Sequence, residues 1–598
     1  MSSDSMLERI KSIAVLPFVN IGPVENEYFA DGITEEIINA LTRVGGLKVT
    51  ARTSSFYYKH KNIDARIIGN ELGVETLLEG SIRIFNDRVR ITTQLVRTDT
   101  GFHLWSENFN RQLSDIFALQ DEISLNIAER IREHYGHLDI QDHLIETPAS
   151  NVEAYKQYLK GLQLRMRWNA ADVASAITYF TQCIELDPSF SRAYFEKGWC
   201  IGMLSSWGYR EKEKGLGEAY NHINKGLELD PNSSLGYYAK GTISFWGYWN
   251  YRDSYTFLRK SLEINPNAAE VRDALADFFA ALGQIDRALE QNQKALVLNP
   301  LSANLHFTRG NLLYFKRDYK NALFHIEKAL RLDPGFPIAL EMKAAALIWD
   351  GQQEQFAIYS GNTRGLERPK ICQFLYDAIH HTTVFNITEE ELREELDTAS
   401  TRSLRAWELY LEIYRGNQPK ALQMLEEQLR QRSGQLFNFK NDPFLDPLRE
   451  SDLYKKLEAS VFEASAMPVF EGSAPPVDPP CPLSGEEQEE YAAAVTKAMG
   501  EELYLDPGLS LKKMAATVAL HPNKLSWLLN NHFGKNFNDF VNTYRVQKFQ
   551  QLALMPENKQ ITLLGLAYDS GFNSKTVFNT FFKRDTGMTP KQWVKTHS

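Results

Sequence analysis

The chain has 598 residues, of which 43% are hydrophobic, 12% aromatic and 24% charged. That length calls for roughly three or four domains at about 150 residues each, and the composition excludes collagen-like and intrinsically disordered classes. The formal net charge is −10, no apolar run is long enough to span a membrane, and the start, MSSDSMLERIKSIAVLPF, carries charges where an export signal needs an apolar stretch.

Residues 12–20 (SIAVLPFVN) form a continuous apolar run and read as a buried strand. Asp31 precedes GITEEIINALTRV, where Ile33, Ile37, Ile38 and Leu41 recur at helical spacing, so the pattern predicts a helix capped by Asp31. Glu35 and Glu36 then belong to a negatively charged first turn, with ligand or cation binding by the three acids as the alternative. A short strand near 47–50 follows, then a helix over 65–72, strands over 76–85 and 88–97 joined at Asn86 and Asp87, a strand over 102–109 and a helix over 116–133. Val89, Ile91 and Leu95 alternate with Arg88, Arg90 and Gln94, as in a hairpin with one buried face. His103 and Trp105 read as strand-face packing. The segments IAVLPFVN, YFADGITEEIINAL, LEGSIRIFNDRVRITTQLV and HLWSENFNR resemble the TolB-like amino-terminal domain that precedes helical repeats in many bacterial regulators and some adenylate cyclases. The resemblance implies a fold and regulatory company, and no chemistry.

The middle of the chain repeats. Asp187-Pro188, Asp230-Pro231, Asn265-Pro266, Asn299-Pro300 and Asp333-Pro334 recur with proline spacings of 43, 35, 34 and 34. A 34-residue period is that of a helix pair. Ten positions after each proline stand Gly198, Gly241, Ala276, Gly310 and Ala344; twelve before stand Ala176, Ala219, Ser254, Ala288 and Ala322; five before stand Cys183, Gly226, Ser261, Ala295 and Ala329. All fifteen are small, as close helix contact requires. The segment resembles a tetratricopeptide array, ANLHFTRGNLLYFKRDYKNALFHIEKALRLDP most of all. Such a solenoid implies a protein or peptide partner, with a spacer or dimerisation scaffold as the alternative. The aromatic cluster Trp199, Trp207, Tyr209, Phe245, Trp246, Tyr248, Trp249 and Tyr251 reads as inter-repeat core or a groove lining. Cys183, Cys200, Cys372 and Cys481 lie 17, 172 and 109 positions apart, with no metal-knuckle or disulfide spacing, which places the chain in a reducing cytoplasm.

Residues 464–485 are rich in proline and small residues and read as a flexible linker. From Gly508 onward twelve Lys/Arg stand against four Asp/Glu, so this stretch carries +8 and the rest −18. A basic module on an acidic body suits a polyanion binder. SLKKMAATV (510–518) is helical, Ala519-Leu520-His521 turns, and Pro522 opens a second helix with Leu525, Leu528 and Leu529 inward. A long helix over 538–554 joins this helix-turn-helix to another, formed by helices over 562–569 and 574–585 around Gly571. Expected boundaries are 1–145, 146–463, 464–485 and 486–598, and the fold expected is multidomain and mainly α: an α/β amino-terminal domain, an α-solenoid and an all-α carboxyl-terminal module.

GFNSKTVFNTFFKRDTGMTP (571–590) and LSWLLNNHFGKNFNDFVNTYR (525–545) closely resemble the AraC/XylS family of transcription regulators. The resemblance implies two recognition helices entering successive major grooves of promoter DNA. By facing, Asn523, Lys524, Ser526, Trp527 and Asn530 on the first helix lie away from the leucines. On the second, Asn573, Lys575, Thr576, Asn579 and Thr580 lie away from Val577, Phe578 and Phe581. These are the expected base readers, with Lys583, Arg584 and Lys591 as phosphate contacts. No phosphate-cradling loop, dinucleotide fingerprint, zinc-hydrolase helix or nucleophile elbow occurs in the sequence, so neither catalysis nor a cofactor or metal is expected. The function expected is sequence-specific transcription regulation, with RNA polymerase as a partner, the repeats and amino-terminal domain receiving a signal or forming a homodimer, and no membrane contact. The alternative is an interaction scaffold that the basic module localises on DNA.

Overall fold

The computed structural model describes residues 11–144, 151–167, 169–361, 368–380, 387–388, 390–391, 395, 405–463, 467–468 and 482–597. Most of the expected linker, with Cys481, lies outside the described residues.

Ser12–Val15 (β1) is buried at all four positions, as suits a central strand with both faces covered. Val19–Asn20 (β2) follows. Lys48–Val49 (β3) and Thr76–Phe85 (β4) flank β1 in parallel, and β2 extends onto β4. The chain reverses at Asn86, with φ 52°, into Arg88–Arg97 (β5), antiparallel to β4 with Arg83 opposite Arg90. His103–Gln112 (β6) closes the order β3-β1-β4-β5-β6. Of helices Glu27–Leu41 (α1), Arg52–Phe56 (α2), Ala65–Leu72 (α3) and Ile116–Tyr135 (α4), α1 and α4 share one core with the sheet, while α3 and Tyr58 just beyond α2 cover its other face.

The expected cap at Asp31 is overturned. α1 begins four residues earlier, and Asp31, Glu35 and Glu36 are buried in its body. Each meets a cation: Asp31 takes Lys59 Nζ at 2.5 Å, Glu35 faces Arg52 at 3.2 Å, and Glu36 accepts both outer nitrogens of Arg192 at 2.6 and 2.7 Å. Burial pushes the Glu35 carboxyl up to about 7. Gly32 marks close packing, since a Cβ there would lie 2.5 Å from Leu159 Cδ2 of the first repeat helix, Val152–Arg165.

The repeat region is a run of antiparallel helix pairs from Val152–Arg165 through Pro337–Asp350. All fifteen small positions are buried, and Gly198 shows why: its Cβ would stand 2.8 Å from the Ala219 carbonyl oxygen. The apolar core of the amino-terminal domain runs on into the first repeats without a break. The Asx-Pro turns hold that domain along one edge. Asn299 Oδ1 accepts from Ser54 N and Oγ at 3.1 and 2.6 Å, and Asn267 Nδ2 donates to the Thr42 and Leu47 carbonyls at 3.2 and 3.1 Å. Two turns that touch it carry Asn where the other three carry Asp. At Asn299, only 5% exposed, a carboxylate would be a buried charge. Residues 431–462 fold back onto the array, Phe437 packing edge-on against Trp246 with ring centroids 4.3 Å apart and Asn441 Nδ2 donating to the Ala280 carbonyl. In the aromatic cluster Trp199, Phe245, Trp249 and Tyr251 are core, and Tyr209 is exposed.

Candidate nucleic-acid interface

Residues 482–597 build two further cores from seven helices: Gly485–Gly500 (α5), Leu511–Thr517 (α6), Pro522–Asn531 (α7), Phe537–Leu554 (α8), Leu563–Asp569 (α9), Lys575–Thr586 (α10) and Pro590–His597 (α11). Helices α6 to α10 follow the expected spans within about two residues. Ser510, Thr562 and Ser574, counted as first helical residues, are the caps: their side chains accept from the backbone N–H of Lys513, Gly565 and Val577. Leu511, Met514, Leu525, Leu528, Leu529, Phe537 and Phe540 close the first core, and Phe549, Leu566, Phe572, Phe578, Phe581 and Phe582 close the second.

A polar clamp sets the two units against each other. Arg545 of α8 is 8% exposed. Its Nε donates to the Tyr504 carbonyl and its Nη2 to the Asp506 carbonyl, both at 2.8 Å, while Nη1 donates to Asn542 Oδ1. Burial lowers its pKa to about 10, so it stays charged at neutrality. In the second unit's turn Gly571 has φ 90°, and a Cβ there would meet Tyr504 O at 2.4 Å. Only glycine lets that turn sit against the first unit. Asn573 Nδ2 donates to the Pro507 carbonyl, and Arg584 pairs with Asp539 at the start of α8. Sequence reasoning counted Arg545 only as one of twelve cations; a lone Arg amid the apolar stripe of a helix was the signal available.

On the second unit, Asn573, Lys575, Thr576, Asn579, Thr580, Lys583, Arg584 and Lys591 are all exposed. Asn579, Thr580, Lys583 and Arg584 line an open hollow of about 580 Å³ with Thr589 and Pro590. Lys575, Lys583 and Lys591 make no ion pair among the described residues. Val577, expected inside, is 46% exposed. The inward stripe is Phe578, Phe581 and Phe582, spaced by three and four, and Val577 falls one step ahead of it. An apolar side chain there suits a thymine methyl.

The first unit differs. Ser526, expected on the open face, is 2% exposed, and Asn523, Lys524, Trp527 and Asn530 are half-buried. The carboxyl end of α4 and the segment after it lie against this face. Asn523 Nδ2 donates to Asp139 Oδ1 at 2.9 Å and to the Ile140 carbonyl at 3.0 Å, while its Oδ1 accepts from Arg132 Nη1 at 2.5 Å and Ile140 N at 3.4 Å. Glu133 Oε1 accepts from Leu511 N at 3.0 Å, and Lys512 faces Glu129 at 3.5 Å. Facing within one helix carries no information about this cover.

Comparison with known families defines the class of each part. Residues 514–596 match the model of a helix-turn-helix domain, residues 9–126 that of the HilA/YgeH-like transcriptional regulator, second domain, and residues 303–336 that of a tetratricopeptide repeat. The carboxyl-terminal domain is an AraC-type helix-turn-helix domain, and along the chain it comes after a HilA-like regulator domain and a tetratricopeptide array.

Similarity to individual proteins is partial. Over 186 residues the chain is 42% identical to "Putative adenylate cyclase 3" of Rhizobium meliloti (strain 1021), covering 31% of each. Over 94 residues it is 31% identical to tetratricopeptide repeat protein 13 of Homo sapiens, 16% of this chain and 11% of that one. The chain thus spans 31% and 11% of the lengths of these curated relatives. Among solved structures, YrrB, described as a TPR protein with an unusual peptide-binding site, is 22% identical over 32% of this chain and 91% of its own, with a TM-score of 0.22. Among the described residues no helix is long and apolar enough to cross a membrane, and no group of three or more His, Cys, Asp or Glu could hold a metal ion.

Proposed function

We propose that this chain is a cytoplasmic, non-enzymatic transcription regulator that reads promoter DNA with its carboxyl-terminal domain, while the array and amino-terminal domain receive a signal or partner. The observation that carries the reading is the open face of α10, where the Asn579 amide, the Thr580 hydroxyl and Lys583, a cation with no ion pair among the described residues, gather around one hollow. Asn579 has the bidentate amide that suits adenine, Lys575 can donate to guanine, and Lys583 and Lys591 suit phosphates. The Arg545 clamp holds α7 and α10 in one spatial relation, as a reader of two neighbouring grooves needs.

The repeats serve this reading as the frame that carries the amino-terminal domain on their Asx-Pro turns, and a peptide or protein partner, RNA polymerase or a second copy would add to that frame. We read the segment shared with the cyclase-named protein as regulatory. Selection from a random oligonucleotide pool by the full chain tests the proposal. Enrichment of one base order supports it, and equal recovery of all sequences overturns it, leaving the scaffold that merely sits on DNA.

A further inference from the structure

We infer that the carboxyl end of α4 and residues 136–140 form an intramolecular clamp that occupies the reading face of α7 and competes with DNA for it. The inference rests on the DNA-binding reading above and adds its regulation.

Asn523, Ser526 and Asn530 are separated by three and four positions, so they share one face of α7, at and just beyond the amino-terminal turn that a recognition helix turns toward base edges. On that face Ser526 is 2% exposed, and Asn523 and Asn530 are half-buried. An amide has two donors and one oxygen to offer a base, and those of Asn523 are already taken by Asp139, Ile140 and Arg132. Arg132 is 1% exposed and is held by Glu129 as well as Asn523, so the contact is built into the core rather than laid on the surface. Gly136, with φ 104°, lets the backbone approach α7 closely: a Cβ there would stand 2.4 Å from Asn530 Oδ1.

The chemistry of the clamp is that of a phosphate backbone. Carboxylate oxygens of Glu133, Glu129 and Asp139 meet a backbone N–H, a lysine ammonium and an amide N–H, the donors with which a helix-turn-helix grips phosphates and bases. α4 also lies against the connecting helix α8. DNA and the clamp therefore exclude each other at the first unit, while the second stays open. Apparent affinity for a two-groove site is reduced to the fraction of molecules with the clamp released, and a signal that parts α4 from α7 raises it.

The test uses the full chain and the DNA it selects. Asp139→Ala removes an exposed acceptor of Asn523, and Asp142→Ala removes the same charge three residues on. Asp139→Ala is expected to bind about tenfold tighter, as freeing one charged contact implies, and to lengthen the footprint to a second half-site, with Asp142→Ala unchanged. Equal affinity and footprint for Asp139→Ala and the unaltered chain overturn the clamp while leaving DNA reading intact. Hydrogen exchange on the unaltered chain gives an independent measure: saturating DNA should speed exchange in residues 129–140, and unchanged exchange there overturns the clamp too. Absence of any sequence preference in the unaltered chain and both variants overturns the DNA reading itself, and the clamp with it.

Discussion

The two helix-turn-helix units share a plan and differ in their surroundings. Both bury a stripe of the second helix, Leu525, Leu528 and Leu529 in one and Phe578, Phe581 and Phe582 in the other. Opposite those stripes α7 meets the amino-terminal domain through Asn523, whereas α10 leaves Asn579, Thr580 and Lys583 in solvent. Their turns differ as well: the first passes through Ala519 at φ 53°, the second through Gly571 at φ 90°. The lesson is that spacing within a helix sets what it buries toward its own unit, while the opposite side is open to whatever the rest of the chain brings to it.

Six substitutions probe that contrast. The largest effect is expected for Phe582→Ala. Its ring is fully buried against Phe549, Phe578 and Trp593, and truncation should cost about 3–5 kcal/mol. Urea denaturation should then show the second unit melting ahead of the first; a single unshifted transition would mean the two cores are not separate.

Arg545→Met comes next, at about 3 kcal/mol, because it strips two buried carbonyls of a charged donor. It should weaken binding to a two-groove site more than to a half-site, and equal weakening of both would deny that Arg545 sets the spacing. Asn579→Ala is expected to cost about 2 kcal/mol on the selected DNA and little on random DNA, with Asn523→Ala costing less in the full chain. Equal losses on random and selected DNA would remove Asn579 from the readers. The smallest change is Ala519→Gly, which relieves a left-handed alanine and should raise stability by about 1 kcal/mol in thermal unfolding. Gly571→Ala should do the opposite, since its Cβ would strike Tyr504 O.

Much of this molecule is legible from spacing. The recurring prolines, settling to a 34-residue spacing, and the small residues around them marked the array, and the tight packing at Gly198 and Gly310 shows the physical reason. Alternation of Val89, Ile91 and Leu95 with Arg88 and Arg90 marked the β5 register. Three readings failed for one cause. Asp31 looked like a cap because it precedes the helically spaced isoleucines, Ser526 looked exposed because it avoids the leucines, and Val577 looked inward because it is apolar. Each was judged against its own helix, and each was decided by what does or does not pack beside it.

Local chemistry was enough to settle where the helices of the carboxyl-terminal domain start and which stripe of each is apolar, since caps and the 3.6-residue period act within a turn or two of backbone. Tertiary structure alone decided that one recognition face is covered and the other open. Asn523 and Asp139 are 384 positions apart in the chain, and a hydrogen bond over that separation arises only when two separately built surfaces come together.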